Sequence, residues 1–169
     1  MTKLVPAALM TLALLWRGVP AGAERPPVTK SASITLHLHA GADAAFPLFD
    51  PVNETKWDPD WKPRFLGDAI GEGLAFVVAD GDRRSTWLID RYDARARTIA
   101  YVVFAPSTLT RIHIDVLPDG DRSIATVTYT RTALDDAGVE AVEHFVAQFP
   151  AQAPHWESAI NGYLDSTRR

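Results

Sequence analysis

A chain of 169 residues with 47% hydrophobic residues, 22% charged residues and no cysteine has the make-up of one ordinary globular domain, which excludes a fibrous, disordered or disulfide-stapled class. At this length roughly 70% of the surface exposed by the unfolded chain can be buried, enough for a core and a cavity beside it. The formal charge is -4 at pH 7, and an acidic chain without Lys/Arg clusters is poorly matched to a phosphate backbone, so nucleic acid is not an expected partner.

The chain opens with Met1–Lys3, a 13-residue apolar run over Leu4–Trp16, and the small-residue triplet Ala21-Gly22-Ala23. That order predicts a signal peptide over residues 1–23, cleaved after Ala23, and therefore an exported protein, periplasmic or secreted. Retention as an N-terminal anchor is the alternative. Thirteen apolar residues containing Pro6 fall short of the ~20 needed to span a bilayer, so stable membrane insertion after cleavage is not expected. Cleavage removes Lys3 and Arg17 and no acid, leaving 15 basic against 21 acidic residues, a net charge of -6. Residues 24–30, with Pro26-Pro27, read as an exposed linker, and residues 31–166 as the single domain.

"SASITLHLH" alternates cleanly, with Ile34, Leu36 and Leu38 on one side and Ser33, Thr35, His37 and His39 on the other, the period of a strand with one buried face. The next stretch, "ADAAFPLFDPVNETKWDPDWKPRFLGD", has large rings but no sustained period, and Pro47 and Pro51 limit it to short helical turns. "PRFLG" at 63–67 predicts one more short strand. From Gly71 onward five strand-like runs follow: "GLAFVVA", "RSTWLIDRY", "RTIAYVVFA", "TLTRIHIDVL" and "SIATVTYTRT". Asp80-Gly81-Asp82 and Asp119-Gly120-Asp121 between them are hairpin chemistry, so the runs form an antiparallel meander. The last 30 residues switch to helical spacing, with Val142, Phe145, Phe149, Trp156, Ile160 and Leu164 on one face. Pro150 and Pro154 predict a kink or short break over 149–154, with the stripe resuming in phase beyond it.

Catalytic and metal chemistry find little support in the residue pattern. There is no cysteine and no Gly-x-Ser-x-Gly, so no nucleophile is assigned and the catalytic set is empty. His37, His39 and His113 lie on strands, but alternating Ile/His is the pattern of a solvated face, so neither a metal nor another cofactor is expected. Asn53-Glu54-Thr55 is a glycosylation sequon, meaningful only in a eukaryotic secretory host. Arg91 shares parity with Trp87 and Ile89 and is the predicted inward polar group, with a salt bridge to an acid as the competing role.

In this element order, "FPLFDPVNETKWDPDWKPRFL", "STWLIDRYDARARTIAYVVFAP", "ATVTYTRTAL" and "HWESAINGYL" resemble bacterial members of the START, polyketide cyclase and birch-pollen-allergen (SRPBCC) superfamily. The likeness runs from about Ser31 to Leu164. It implies an α+β helix-grip fold: a curved antiparallel sheet of six to seven strands around a long C-terminal helix, two short helices after the first strand, and a cavity between sheet and helix. The expected lining is Phe76, Trp87, Ile89, Arg91, Tyr101 and Ile114 from the strands, Tyr129 from the last strand, and Phe145 and Phe149 from the helix, whose rings suit an apolar ligand. Phe46, Phe49, Trp57 and Trp61 are the expected lid. The function this implies is binding a hydrophobic, aromatic or lipid-like small molecule. A cyclase/hydrolase-type enzyme, polyketide cyclase/aromatase-like, is one alternative; an envelope interaction module using a Trp57/Trp61 patch is another. Ionisable groups converging in the cavity would separate the enzyme from the binder. Oligomeric state is left open by the sequence.

Overall fold

The computed structural model describes residues 26–168; the expected signal peptide over residues 1–23 lies outside the described residues. Seven strands form one antiparallel sheet in the order β1-β7-β6-β5-β4-β3-β2. They are β1 Thr29–Leu38, β2 Arg64–Phe65, β3 Ala75–Asp80, β4 Arg83–Asp93, β5 Thr98–Ala105, β6 Thr108–Asp119 and β7 Arg122–Ala133. The first strand starts inside the expected linker because its pairing with β7 extends to Thr29↔Thr132. Between β1 and β2 lie a short helix α1 (Ala42–Ala45), continuous with a 3₁₀ turn over Phe46–Phe49, and a second 3₁₀ turn over Asn53–Lys56.

The meander follows from local chemistry. Gly81 and Gly120 take φ of 57° and 64° at the β3–β4 and β6–β7 turns, a left-handed conformation that glycine adopts without a Cβ penalty. Strict pairing carries each inward row across the sheet: Ala32↔Tyr129, Tyr129↔Ile112, Ile112↔Tyr101 and Tyr101↔Ile89 form one such row. One irregularity matters for the site. The β4–β5 register shifts between Ile89 and Arg91, a bulge that places an extra residue in β4 and reverses parity beyond it.

The C-terminal helix covers the concave face in two pieces, α2 (Asp136–Gln148) and α3 (Ala153–Thr167), joined by a 3₁₀ turn over Phe149–Gln152. Pro150 and Pro154 each sit at the first positions of a new helical segment, where a missing N–H costs nothing. The break therefore leaves the apolar stripe in phase, with Val142, Phe149, Ile160 and Leu164 all buried. No described helix is long and apolar enough to cross a membrane.

Strand β1 is a sheet edge, and the helix guards part of it. Asn161, buried on α3, accepts from the His39 N–H (2.8 Å) and donates to the His37 carbonyl (2.9 Å), while Glu157 accepts from the His37 N–H (2.7 Å). These side chains take the place of a neighbouring strand, which satisfies polar backbone and blocks edge pairing. His39–Asp165 and Lys30–Glu143 ion pairs add to the clasp from its exposed rim.

Candidate ligand-binding cavity

A single helix pair cannot fill the concave face of a seven-stranded sheet, and the unfilled part is a cavity of two connected chambers. The outer chamber has a volume of about 1050 Å³ and the inner about 310 Å³. Both are bounded by Trp87, Tyr129, Arg131, Phe145 and Trp156, which form the neck between them. The outer chamber meets solvent where exposed Arg83 and Arg84 of the β3–β4 hairpin, Pro106 of the β5–β6 turn and Glu140 of α2 stand around it. The inner chamber is closed by the segment after α1.

That segment is pinned by its own polar atoms. Asp50, buried, accepts from the N–H groups of Val52 (3.0 Å) and Asn53 (2.8 Å) and from the Asn53 amide (2.6 Å). The indole N–H of Trp57 donates to the Leu48 carbonyl (2.8 Å) and that of Trp61 to the Pro51 carbonyl (2.9 Å). From the sheet, the Tyr101 hydroxyl donates to the Phe49 carbonyl at 2.7 Å. Buried ring N–H and O–H groups need partners, and here they find them on backbone that the prolines keep out of regular structure. The expected lid is thus an end wall with its rings turned inward. Trp57 is buried and Trp61 half-buried against Trp87, so no exposed Trp57/Trp61 patch exists for a partner protein.

Of the residues expected to line the cavity, Trp87, Tyr101, Ile114, Tyr129, Phe145 and Phe149 do so, as do Phe49, Trp57 and Trp61 of the end wall. Four do not. Phe76 and Ile89 face inward but are fully buried, because the end wall packs directly over that part of the sheet, with Trp61 edge-on to Phe76 at 6.0 Å. Phe46 packs on Tyr92 at 5.5 Å, away from both chambers. Arg91 points outward, exposed and paired with Asp93 at 3.2 Å; the bulge after Ile89 gives its place on the inner face to Tyr92.

Three ionisable residues in the interior escaped the sequence reading: Arg131, Glu54 and Asp58. Arg131, two residues beyond Tyr129 on β7, places its guanidinium 3.8 Å from the centroid of the Phe145 ring and donates from Nε to Thr110 at 3.1 Å. Its strand parity with Tyr129 was the available signal. Glu54, the middle residue of the sequon, lines the inner chamber together with Asp58. Desolvation, then the charges of Asp58 and Asp50, push its carboxyl well above the ordinary carboxylate range. Burial, and then Glu54, also raise both Tyr101 and Tyr129, so these phenols stay protonated. Desolvation lowers Arg131 from its ordinary value. His113 pairs with Asp115 on the outer face, and no cluster of three or more metal-ligating side chains occurs among the described residues.

The raised Glu54 carboxyl has a thermodynamic consequence. A group that holds its proton more tightly when folded contributes stability below its unfolded pKa, near 4.3, and that contribution is lost as pH rises through the higher folded value. Glu54→Gln is therefore expected to melt several degrees above wild type at pH 9 and close to it at pH 4, measured by thermal denaturation across pH.

No protein-family model and no curated protein matches the sequence. Solved structures match the fold. A norcoclaurine synthase point mutant from Thalictrum flavum, in complex with a transition-state analogue, superposes with a TM-score of 0.68 at 18% identity, covering 86% of this chain and 100% of that one. The Zhui aromatase/cyclase from Streptomyces sp. R1128 gives 0.66 at 18% identity, over 84% of this chain and 97% of its own. Ara h 8.0201 gives 0.64 at 17% identity, over 82% and 99%. The chain thus shares the fold of these structures, the helix-grip arrangement that the sequence resemblance implied. At such identities the likeness extends to the fold and not to an activity.

Proposed function

We propose that this protein is a small-molecule-binding protein that holds a hydrophobic ligand, aromatic or lipid-like, in the cavity between sheet and C-terminal helix, and that residues 1–23 direct its export to the periplasm or beyond. The observation that carries the reading is the two-chamber cavity itself, with an inner end rich in rings and an outer end open to entry. Apolar walls with a few placed polar groups are the usual construction of such sites.

A second reading is enzymatic. Glu54, Tyr129 and Arg131 reach the same interior, so a substrate held there would meet a carboxyl able to move a proton and a guanidinium able to steady negative charge. This favours a cyclase- or hydrolase-type reaction over an inert carrier if the ligand leaves altered.

Trp57, Trp61, Trp87 and Trp156 surround the inner chamber, so occupancy is expected to change tryptophan emission. Titration with a naphthalene-based probe should give a saturable, one-to-one change, and solvent extraction of protein made in its native host should yield a stoichiometric small molecule. Absence of both would defeat the container reading. Recovery of the extracted compound after incubation separates the two readings: unchanged for a carrier, converted for an enzyme.

A further inference from the structure

The end wall gathers three acids within nine residues, and they are not equivalent. Asp50 is consumed by the three donors of its own turn, and Asp58 accepts the Asp60 N–H at 3.0 Å. Glu54 is different: among the described residues no Lys, Arg or His comes within ion-pair reach of it. A carboxyl lining a ring-rich chamber without an ion-pair partner is unfavourable, and such groups persist where a ligand supplies the partner. The surroundings choose its charge. The chamber that Glu54 lines is also lined by Trp57, Trp61, Trp87 and Trp156, and aromatic ring faces attract cations and repel anions. The same cavity already shows the preference, since Arg131 lies face-on over Phe145.

We propose that the inner chamber is an organic-ammonium site, in which a protonated amine on an aromatic or aliphatic body sits among the indole rings with Glu54 as its counter-charge. The proposal rests on the container reading above and names its ligand class. The charged and titratable groups facing the amine beside Glu54 are Asp58 from the end wall, Tyr101 from β5, and Tyr129 and Arg131 from β7; Asp50 lies behind the wall, engaged by its own turn. Arg131 is the one opposing charge. It stands at the neck, held by Thr110 and Phe145, and makes no ion pair with Glu54. With two carboxyl groups, Glu54 and Asp58, against one guanidinium, Arg131, the chamber has an excess of acidic groups that an ammonium complements. At about 310 Å³ it suits a compact head, while a longer body extends through the neck into the outer chamber.

Binding an ammonium favours the ionised carboxyl. Where free Glu54 holds its proton, occupancy must release that proton to the buffer, and amine affinity must fall as pH drops through the raised pKa, up to about tenfold per pH unit.

The test uses the whole protein and three matched probes of the same ring system: naphthylethylamine, naphthylethanol and naphthylacetate. Calorimetry at pH 8 is expected to show the amine about tenfold tighter than the alcohol, a preference that shrinks at pH 5. Near the pKa of Glu54, the amine's binding enthalpy should depend on the ionisation enthalpy of the buffer. Glu54→Gln is expected to bring the amine-to-alcohol ratio to about two, and Glu54→Asp to keep part of the preference, with near-ultraviolet circular dichroism confirming both folds. An amine no tighter than the alcohol, or a preference that survives Glu54→Gln, overturns the proposal. Tightest binding of naphthylacetate overturns it in favour of Arg131 as the anchor. Binding of the alcohol in either case leaves the container reading standing; failure of all three probes sinks both.

Discussion

Phe76→Ala is expected to lower the unfolding free energy by about 3–5 kcal/mol, the range for truncating a buried phenylalanine, and the Tm by roughly 10–20 °C for a domain of this size. The side chain is fully buried at the centre of a ring cluster. Trp87 stacks on it at 5.6 Å with an interplanar angle of 22°, while Trp61, Tyr101 and Phe65 meet it at 6.0, 6.2 and 5.9 Å. Each aromatic pair adds ~0.5–1.5 kcal/mol beyond the area it buries, so the loss belongs at the upper part of the range. Function should suffer as well. Trp61, Trp87 and Tyr101 are the rings of the inner chamber that rest on Phe76, and with the support removed they can lean into the void. Guanidinium denaturation together with near-ultraviolet circular dichroism measures both effects. A loss under ~1 kcal/mol would mean that the site collapses without strain and that the cluster does not hold the chamber in shape.

How much of this could be read in advance depended on whether a feature was local. Alternation in β1, Asp-Gly turns and the in-phase stripe across Pro150 and Pro154 depend only on neighbours in sequence, and each predicted element is present. The second segment's failure to show any period was itself legible as a cap, since four prolines exclude regular structure while its rings demand burial. Parity failed once, at Arg91. A single extra residue in β4 reversed the faces, and a bulge is set by how the curved sheet pairs across strands, which one strand's sequence does not carry. Had the bulge been anticipated, Tyr92 would have taken its place, as Arg131 follows Tyr129 on the unbroken β7. Glu54 was hidden for another reason. Its role depends on where an irregular segment folds back, and in sequence it is one more acid in a polar motif. Phe76 and Ile89 were placed on the correct face, yet whether an inward ring lines a void or lies under the end wall is decided by the wall's docking.

Gly138→Ala is expected to destabilise the protein by about 1–3 kcal/mol, the usual cost of overpacking, although Gly→Ala within an exposed helix normally gains ~1 kcal/mol. The sign reverses because a Cβ at Gly138 would lie 2.1 Å from the Ser107 carbonyl oxygen and 3.1 Å from the Ala133 Cα, both backbone atoms that cannot rotate aside. The oxygen is already committed to the Leu134 N–H at 2.9 Å, and the Gly138 N–H caps the helix through Asp135 at 2.8 Å. Relief therefore requires α2 to lift from the β5–β6 turn. Pro106 and Ser107 form one rim of the outer chamber and Ala137, Glu140 and Ala141 the other, so the displacement that removes the clash also widens the mouth. Dissociation of a bound naphthalene probe, followed by stopped-flow fluorescence, should accelerate in Gly138→Ala. Gly162→Ala supplies the contrast: a Cβ there meets nothing within 4 Å, so the same substitution should raise stability by ~0.5–1 kcal/mol and leave the dissociation rate unchanged. Equal effects at the two glycines would mean that the helix entry does not set the mouth, and that ligands enter by moving the end wall instead.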